Sequence, residues 1–298
     1  MKRRSLVLCM LVVVMVMAGC SKNNNVKENE TNMTSEKITN ETIKNKEKKN
    51  IEVKELVIKE EGKEIYGKLY YPEDAGKHPA IILSHGYNGA NSDFESECRY
   101  FAQNGYVAYA YDFCGGSVRS KSSGLSTDMT IFTEKADLLE VLNHIRGLEN
   151  VNADSIYLMG VSQGGLVTSL VAEESEDLIK GMILYYPALN IPDDWRKNYA
   201  SVDNIPERVD FWGLTLGKKF FVSIRDFNTF DNIGKFSKDV LIVHGDKDAI
   251  VLLSNCERAQ KLYKNAQLVV LPGEGHGFSP TGAKVARELV LDFMEKHQ

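Results

Sequence analysis

The chain has 298 residues, of which 43% are apolar, and a formal net charge of −5. That is enough apolar material for one large core or two modest ones, and a balance without basic excess argues against nucleic acid as a partner. The composition reads as a globular body of enzyme size.

The first residues are of another kind. Lys2, Arg3 and Arg4 precede an apolar run from Leu6 to Met17, then Ala18-Gly19-Cys20 and an abruptly polar Ser21-Lys22-Asn23. The run is shorter than the roughly 20 residues of a spanning helix, so residues 1–19 are expected to be a secretory signal. The small pair before Cys20 resembles the bacterial lipoprotein signal, which implies that Cys20 is lipidated and the protein held on the outer side of the cell membrane; plain secretion is the alternative. Residues 20–52, rich in Lys, Asn, Glu and Thr, bury too little to offset the entropy of ordering and read as a flexible tether. The folded body is expected over residues 53–298.

Val53 to Glu60 and Glu64 to Tyr71 alternate as two half-exposed strands around Glu61-Gly62. The runs Ala80 to Leu83, Tyr106 to Tyr111, Ile156 to Met159, Met182 to Tyr186, Val240 to Val243 and Leu268 to Leu271 are continuously apolar, as in a parallel sheet covered on both faces. Helix-spaced stretches separate them: Phe94 to Asn104, a face of Phe132, Ala136, Leu139, Leu142 and Ile145, then Leu166 to Glu174, Cys256 to Tyr263 and Ala283 to His297. The alternation predicts an α/β fold with a mostly parallel, doubly wound sheet.

The strand ending at Met159 runs into Gly160-Val161-Ser162-Gln163-Gly164-Gly165 and then a helical stretch. A strand, a tight turn and a helix lift a serine hydroxyl clear of the backbone, while Gly160 and Gly164 remove the Cβ atoms that would clash where strand and helix meet. Ser162 is therefore the candidate nucleophile. About fifty residues between Pro187 and Asp239 exceed any ordinary connection and carry nine aromatics; they are read as a cap, about 188–238, over the carboxyl ends of the strands. Trp195 and Tyr199, interleaved with polar residues, are its candidate substrate-binding side chains.

A serine needs a base, and His276 in Gly275-His276-Gly277 follows the last strand, on the same rim as Ser162. His78, His144, His244 and His297 read as surface or packed residues, and His85 as support for its turn. The base needs a carboxylate, and His244-Gly245-Asp246-Lys247-Asp248 offers two. Asp248 is favoured because its loop can fold back toward His276; Asp246 and, more remotely, Glu274 are alternatives. Converging N–H groups for an oxyanion are assigned to Gln163 and to Tyr87 in Ser84-His85-Gly86-Tyr87. Cys98, Cys114 and Cys256 form neither a disulfide framework nor a metal pattern, and read as free thiols, with Cys98 to Cys114 the pairing if an exported body forms one bridge.

The order Ser162, Asp248, His276 with the upstream His-Gly-Tyr turn resembles the α/β-hydrolase fold. Within that fold, the His-Gly-aromatic turn, the Gly-x-Ser-x-Gly-Gly elbow, the His-Gly-x-x-Asp-x-x-Val loop and the cap residues Ile205-Pro206-Glu207-Arg208-Val209 through Phe221 resemble bacterial cinnamoyl and feruloyl esterases. The resemblance implies a serine carboxylesterase that needs no cofactor or metal and acts on hydroxycinnamate esters, as small molecules or linked to plant cell-wall carbohydrate. A peptidase or acylglycerol lipase on the same residues is the rival within the class. A binding lipoprotein with idle residues is the rival outside it.

Overall fold

In the computed structural model, residues 48–60 and 62–297 are described. The signal, Cys20 and most of the tether lie outside the described residues. The body begins earlier than the alternation suggests. Strand β1 (Ile51–Glu60) starts two residues before Val53, and Lys49 already donates its N–H to Gln103 O at 3.0 Å.

β1 pairs antiparallel along its whole length with β2 (Lys63–Pro72), which pairs antiparallel with β4 (Val107–Tyr111). From β4 the sheet is parallel through β3 (His78–Ser84), β5 (Val151–Val161), β6 (Gly181–Tyr185), β9 (Asp239–Gly245) and β10 (Ala266–Leu271), giving the order β1-β2-β4-β3-β5-β6-β9-β10. The central strands have apolar residues on both faces because helices cover both. Ile82, Tyr109, Leu158 and Ile242 meet α2 (Ile131–Arg146), α3 (Gln163–Glu174) and α6 (Leu253–Leu262). Ile81, Ala108, Met159 and Val243 meet α1 (Glu95–Gln103) and α7 (Pro280–Lys296). Each fully buried aliphatic side chain of this kind contributes about 1.5–3 kcal/mol. β10 is the exception: it is an edge strand, and Val270 is exposed despite its apolar run.

The sheet also decides the cysteine question. Cys98 packs on the α1 side and Cys114 on the α2 side, so the sheet separates them, and all three body cysteines are free and buried.

Helix α2 is turned from its expected face. Phe132 is exposed and Leu139 half-buried, whereas Ile131, Glu134, Asp137, Leu138, Val141, Leu142 and Ile145 are buried. The two acids sit on the inner face because each has partners there. Gln163 Nε2 lies against Glu134, and Asp137 accepts the Cys114 N–H at 2.9 Å and an ion pair from Lys63 at 3.1 Å. Buried polar groups are tolerated on these terms.

The long connection is structured. It holds α4 (Ile191–Asn198), a two-stranded hairpin of β7 (Arg208–Phe211) and β8 (Leu214–Gly217), and α5 (Lys218–Ile224). Phe220, Phe221 and Ile224 bury into the core on the α2 side.

Candidate active site

Ser162 stands between β5 and α3 with φ 52° and ψ −120°, a conformation that an L residue adopts only when its surroundings force it. They do. A Cβ at Gly160 would come within 2.3 Å of Gly164 O, and one at Gly164 within 2.3 Å of His85 O. The Ser162 N–H donates to Tyr185 O at 3.0 Å and its carbonyl accepts the Ala188 N–H at 2.9 Å, which fastens the turn to the end of β6 and the start of the cap.

His276 and Asp248 reach this serine from the loops after β10 and β9. His276 Nε2 is 3.0 Å from Ser162 Oγ, and His276 Nδ1 is 2.8 Å from Asp248 Oδ2. Asp248 Oδ1 accepts the N–H groups of Ile250 and Val251, each at 2.9 Å, so its carboxylate is fixed through both oxygens in a side chain shielded from solvent. With the carboxylate accepting at Nδ1, the imidazole presents Nε2 to the hydroxyl as an acceptor, the arrangement in which it can take a proton from serine.

The other sequence candidates have different work. Asp246 Oδ1 accepts the Gly273 N–H at 2.7 Å, and Lys247 N–H donates to Glu274 O at 2.9 Å; together these knit the acid loop to the histidine loop. Glu274 accepts the Ser279 hydroxyl at the start of α7. His85 is buried. Its Nε2 accepts the Phe113 N–H at 3.0 Å, so its proton is on Nδ1 and is donated to Gly86 O at 2.7 Å; burial holds its pKa below the ordinary value. His244 lies behind the acid. Its Nε2–H donates to Val251 O at 2.9 Å, and its Nδ1 is 3.1 Å from the buried Cys256 Sγ, whose thiol burial keeps protonated.

Gln163 is the first residue of α3, where N–H groups have no carbonyl partner within the helix. Gly86 lies against the serine: a Cβ there would sit 3.0 Å from Ser162 Cβ. The turn that carries Tyr87 thus borders the hydroxyl, and Tyr87 OH reaches outward, 2.8 Å from Phe211 O and 3.2 Å from Leu214 O.

A cleft of about 420 Å³ opens over these groups, and His85, Gly86, Tyr87, Asp93, Phe94, Ser162, Tyr186, Trp212 and His276 are among the residues that line it. Trp195 and Tyr199 do not line it, contrary to expectation. They stack on each other at 6.2 Å and pack edge-on against Phe221, as the cap's own apolar cluster. The cap aromatic in the cleft is Trp212, at the tip of the β7–β8 hairpin. Trp212 and Gly213 have φ of 42° and 80°, both positive as a type I′ turn requires, and Trp212 is 61% exposed. Tyr186, whose ring centroid is 4.7 Å from that of His276, also lines the cleft without having been singled out from the sequence. The available signal for Trp212 is the apolar alternation on either side of Trp212-Gly213; for Tyr186 it is only its place directly after a strand.

Non-heme haloperoxidase from Rhodococcus erythropolis is 26% identical to this chain over 279 residues, 79% of this chain and 97% of its own. Caffeoylshikimate esterase from Arabidopsis thaliana is 28% identical over 140 residues, 46% of this chain and 41% of its own. Among solved structures, Est1E from Butyrivibrio proteoclasticus with ferulic acid bound superposes with a TM-score of 0.72 at 29% identity, covering 81% of this chain and 98% of that one. The sequence profile of the prolyl oligopeptidase family matches residues 92–298, and with the eight-stranded, mostly parallel sheet this establishes that the chain belongs to that family and is a hydrolase with the α/β-hydrolase fold.

Proposed function

We propose that the protein is a serine carboxylesterase that cleaves aryl esters of the feruloyl and cinnamoyl type through an acyl-enzyme. The observation that carries this is the continuous chain of hydrogen-bonding distances from Ser162 Oγ to His276 at 3.0 Å and from His276 to Asp248 at 2.8 Å, beneath an open cleft. Ser162 Oγ attacks the ester carbonyl carbon while its proton passes to His276 Nε2. Asp248 stabilises the imidazolium, and the N–H groups of Gln163 and Tyr87 hold the tetrahedral oxyanion. The C–O bond to the alcohol then breaks as His276 returns the proton to the leaving oxygen. Water repeats the sequence on the acyl-enzyme and releases the acid. The aryl preference is supported by Trp212, a largely exposed indole at the cleft, stacked on Phe211 with centroids 4.6 Å apart. Est1E, a structural neighbour, binds ferulic acid.

A fluorophosphonate probe should label the wild type at Ser162 and leave Ser162→Ala unlabelled, with loss of at least about 10⁴-fold in methyl ferulate hydrolysis. Labelling that persists in Ser162→Ala would overturn the reading. A peptidase would instead turn over aminoacyl amides faster than the aryl ester, which separates the rival within the class.

The same reading includes export and lipid attachment through Cys20. Among the described residues no helix is long and apolar enough to cross a membrane. Cys20→Ser is expected to release the protein from the membrane fraction or leave it unprocessed; unchanged partition would refute the anchor.

A further inference from the structure

Glu134 lies on the inner face of α2, 1% exposed, and its two carboxyl oxygens are 3.0 and 2.8 Å from the amide nitrogen of Gln163. Gln163 is the residue directly after the candidate nucleophile and the first of α3. A buried carboxyl on a helix face needs a reason to be there, since a leucine would fill the space without desolvation cost. The only hydrogen-bond partner of its side chain among the described residues is the side chain of Gln163, the residue whose backbone N–H is assigned to the oxyanion.

We propose that Glu134 is a positioning residue, a buried carboxyl that fastens the Gln163 side chain to α2 so that the Gln163 N–H is held toward the oxyanion. The proposal rests on the serine-esterase reading of the same site. The N-terminal end of α3 carries partial positive charge, which a developing oxyanion uses. An ionised Glu134 at the first residue of that helix draws on the same field, so its protonation state matters to the reaction even though it touches no substrate.

The surroundings of Glu134 favour the neutral form. Burial pushes its pKa up to about 8, and the nearby carboxyl of Asp137 pushes in the same direction, while the Gln163 amide opposes both. Tyr111 on β4 and Tyr87 after β3 feel its charge, and burial holds both phenols protonated. Of the cations near α2, Lys63 of β2 is paired with Asp137, Lys135 with Glu174 of α3, Lys59 of β1 with Glu64, and Lys218 and Lys219 of α5 with Glu207 and Asp128, while Arg146 lies at the opposite end of α2 from Glu134. Asp154 of β5 is exposed. Thus no cation pairs with Glu134 among the described residues.

The test is the pH profile of kcat on an aryl ester for wild type, Glu134→Gln and Glu134→Ala, with thermal melts to establish folding. Wild-type kcat is expected to fall above about pH 8, Glu134→Gln to lose that alkaline limb, and Glu134→Ala to lower kcat by about tenfold at pH 7 with KM within about twofold, the pattern of a misplaced oxyanion donor. Glu134→Gln restores the amide contact and should recover most of that loss. An alkaline limb identical in wild type and Glu134→Gln, or none in the wild type, overturns the proposal. Should Glu134→Ala fail to fold, the Glu134→Gln profile decides alone. Fluorophosphonate labelling of Ser162 separates the two readings: labelled protein with an unchanged Glu134→Gln profile sinks only the role of Glu134, whereas absent labelling sinks the esterase itself.

Discussion

At Asp248 two demands on one carboxylate are met by different oxygens. Oδ1 takes the N–H groups of Ile250 and Val251, which orients the plane of the group, and Oδ2 takes His276. An asparagine at 248 keeps the shape but can turn its NH₂ toward Nδ1, which favours the tautomer that leaves no acceptor at Nε2. Asp248→Asn is therefore expected to lower kcat/KM by roughly 10⁴-fold. Asp246→Asn retains an oxygen for the Gly273 N–H and is expected to lose less than about tenfold, because it acts only through loop position. Measured kcat/KM for the two variants checks this, and a reversed order would move the acid to Asp246. His244 supports the same loop from behind: its Nε2–H holds Val251 O while the Val251 N–H holds Asp248.

At the scale of elements, the cap contributes a hairpin tip to the cleft and a packed cluster behind it. Tyr87 OH and Asn88 Nδ2 hold the hairpin at Phe211, Leu214 and Trp212, so the turn proposed to bind the oxyanion also carries the aromatic wall. Trp212→Ala is expected to reduce the ratio of kcat/KM for methyl ferulate to that for methyl butyrate by up to about tenfold, the worth of one aromatic contact. Trp195→Ala should leave the ratio unchanged and lower the melting temperature, because its ring packs on Phe211 and Phe221. If Trp195→Ala alone shifted the ratio, the aryl group would sit against α4.

The proposed triad and the cap differ in how far their places can be read from the chain. Ser162, Asp248 and His276 are legible because each sits at the end of an apolar strand, and strand ends are fixed by the sheet. A cap has no such register. Its polar interleaving at Trp195 and Tyr199 describes an amphipathic helix, α4, not a wall of the cleft. The exposed tip at Trp212 depends on a turn with two positive φ values, of which only Gly213 announces itself. In α2 the apolar spacing counted from Phe132 shares Leu142 and Ile145 with the buried face but misses Ile131, Glu134, Leu138 and Val141. An acid in such a row is penalised by any hydrophobic pattern, and the amide that compensates it, Gln163, is 29 residues away in the chain.

Across the whole molecule, buried titratable groups of two kinds set opposing slopes of stability with pH. His85 and His244 have pKa values lowered mainly by burial from the ordinary 6.5, so the folded state binds protons less readily than the unfolded chain and their contribution is lost as pH falls below about 6.5. Glu134, Asp137 and Glu173 have pKa values raised mainly by burial, so the folded state retains protons that the unfolded chain has released, and their contribution is lost as pH rises. For Glu134 the window runs from its ordinary 4.5 to about 8. Within that window one such group costs up to about 1.4 kcal/mol of stability per pH unit. The carboxyls with lowered pKa values, Glu55, Asp74, Asp93 and Glu274, have side chains open to solvent, which screens them, and they offset little of this. Stability is therefore expected to decline from neutral pH to pH 8, and Glu134→Gln, which cannot ionise, should remove most of the part due to this residue. Urea unfolding of wild type and Glu134→Gln at pH 5, 6.5 and 8 measures it directly: the stability difference should move steadily in favour of the variant as pH rises. Parallel curves would mean that Glu134 ionises in the folded protein as it does in the unfolded chain, and that its burial is relieved by a partner other than Gln163.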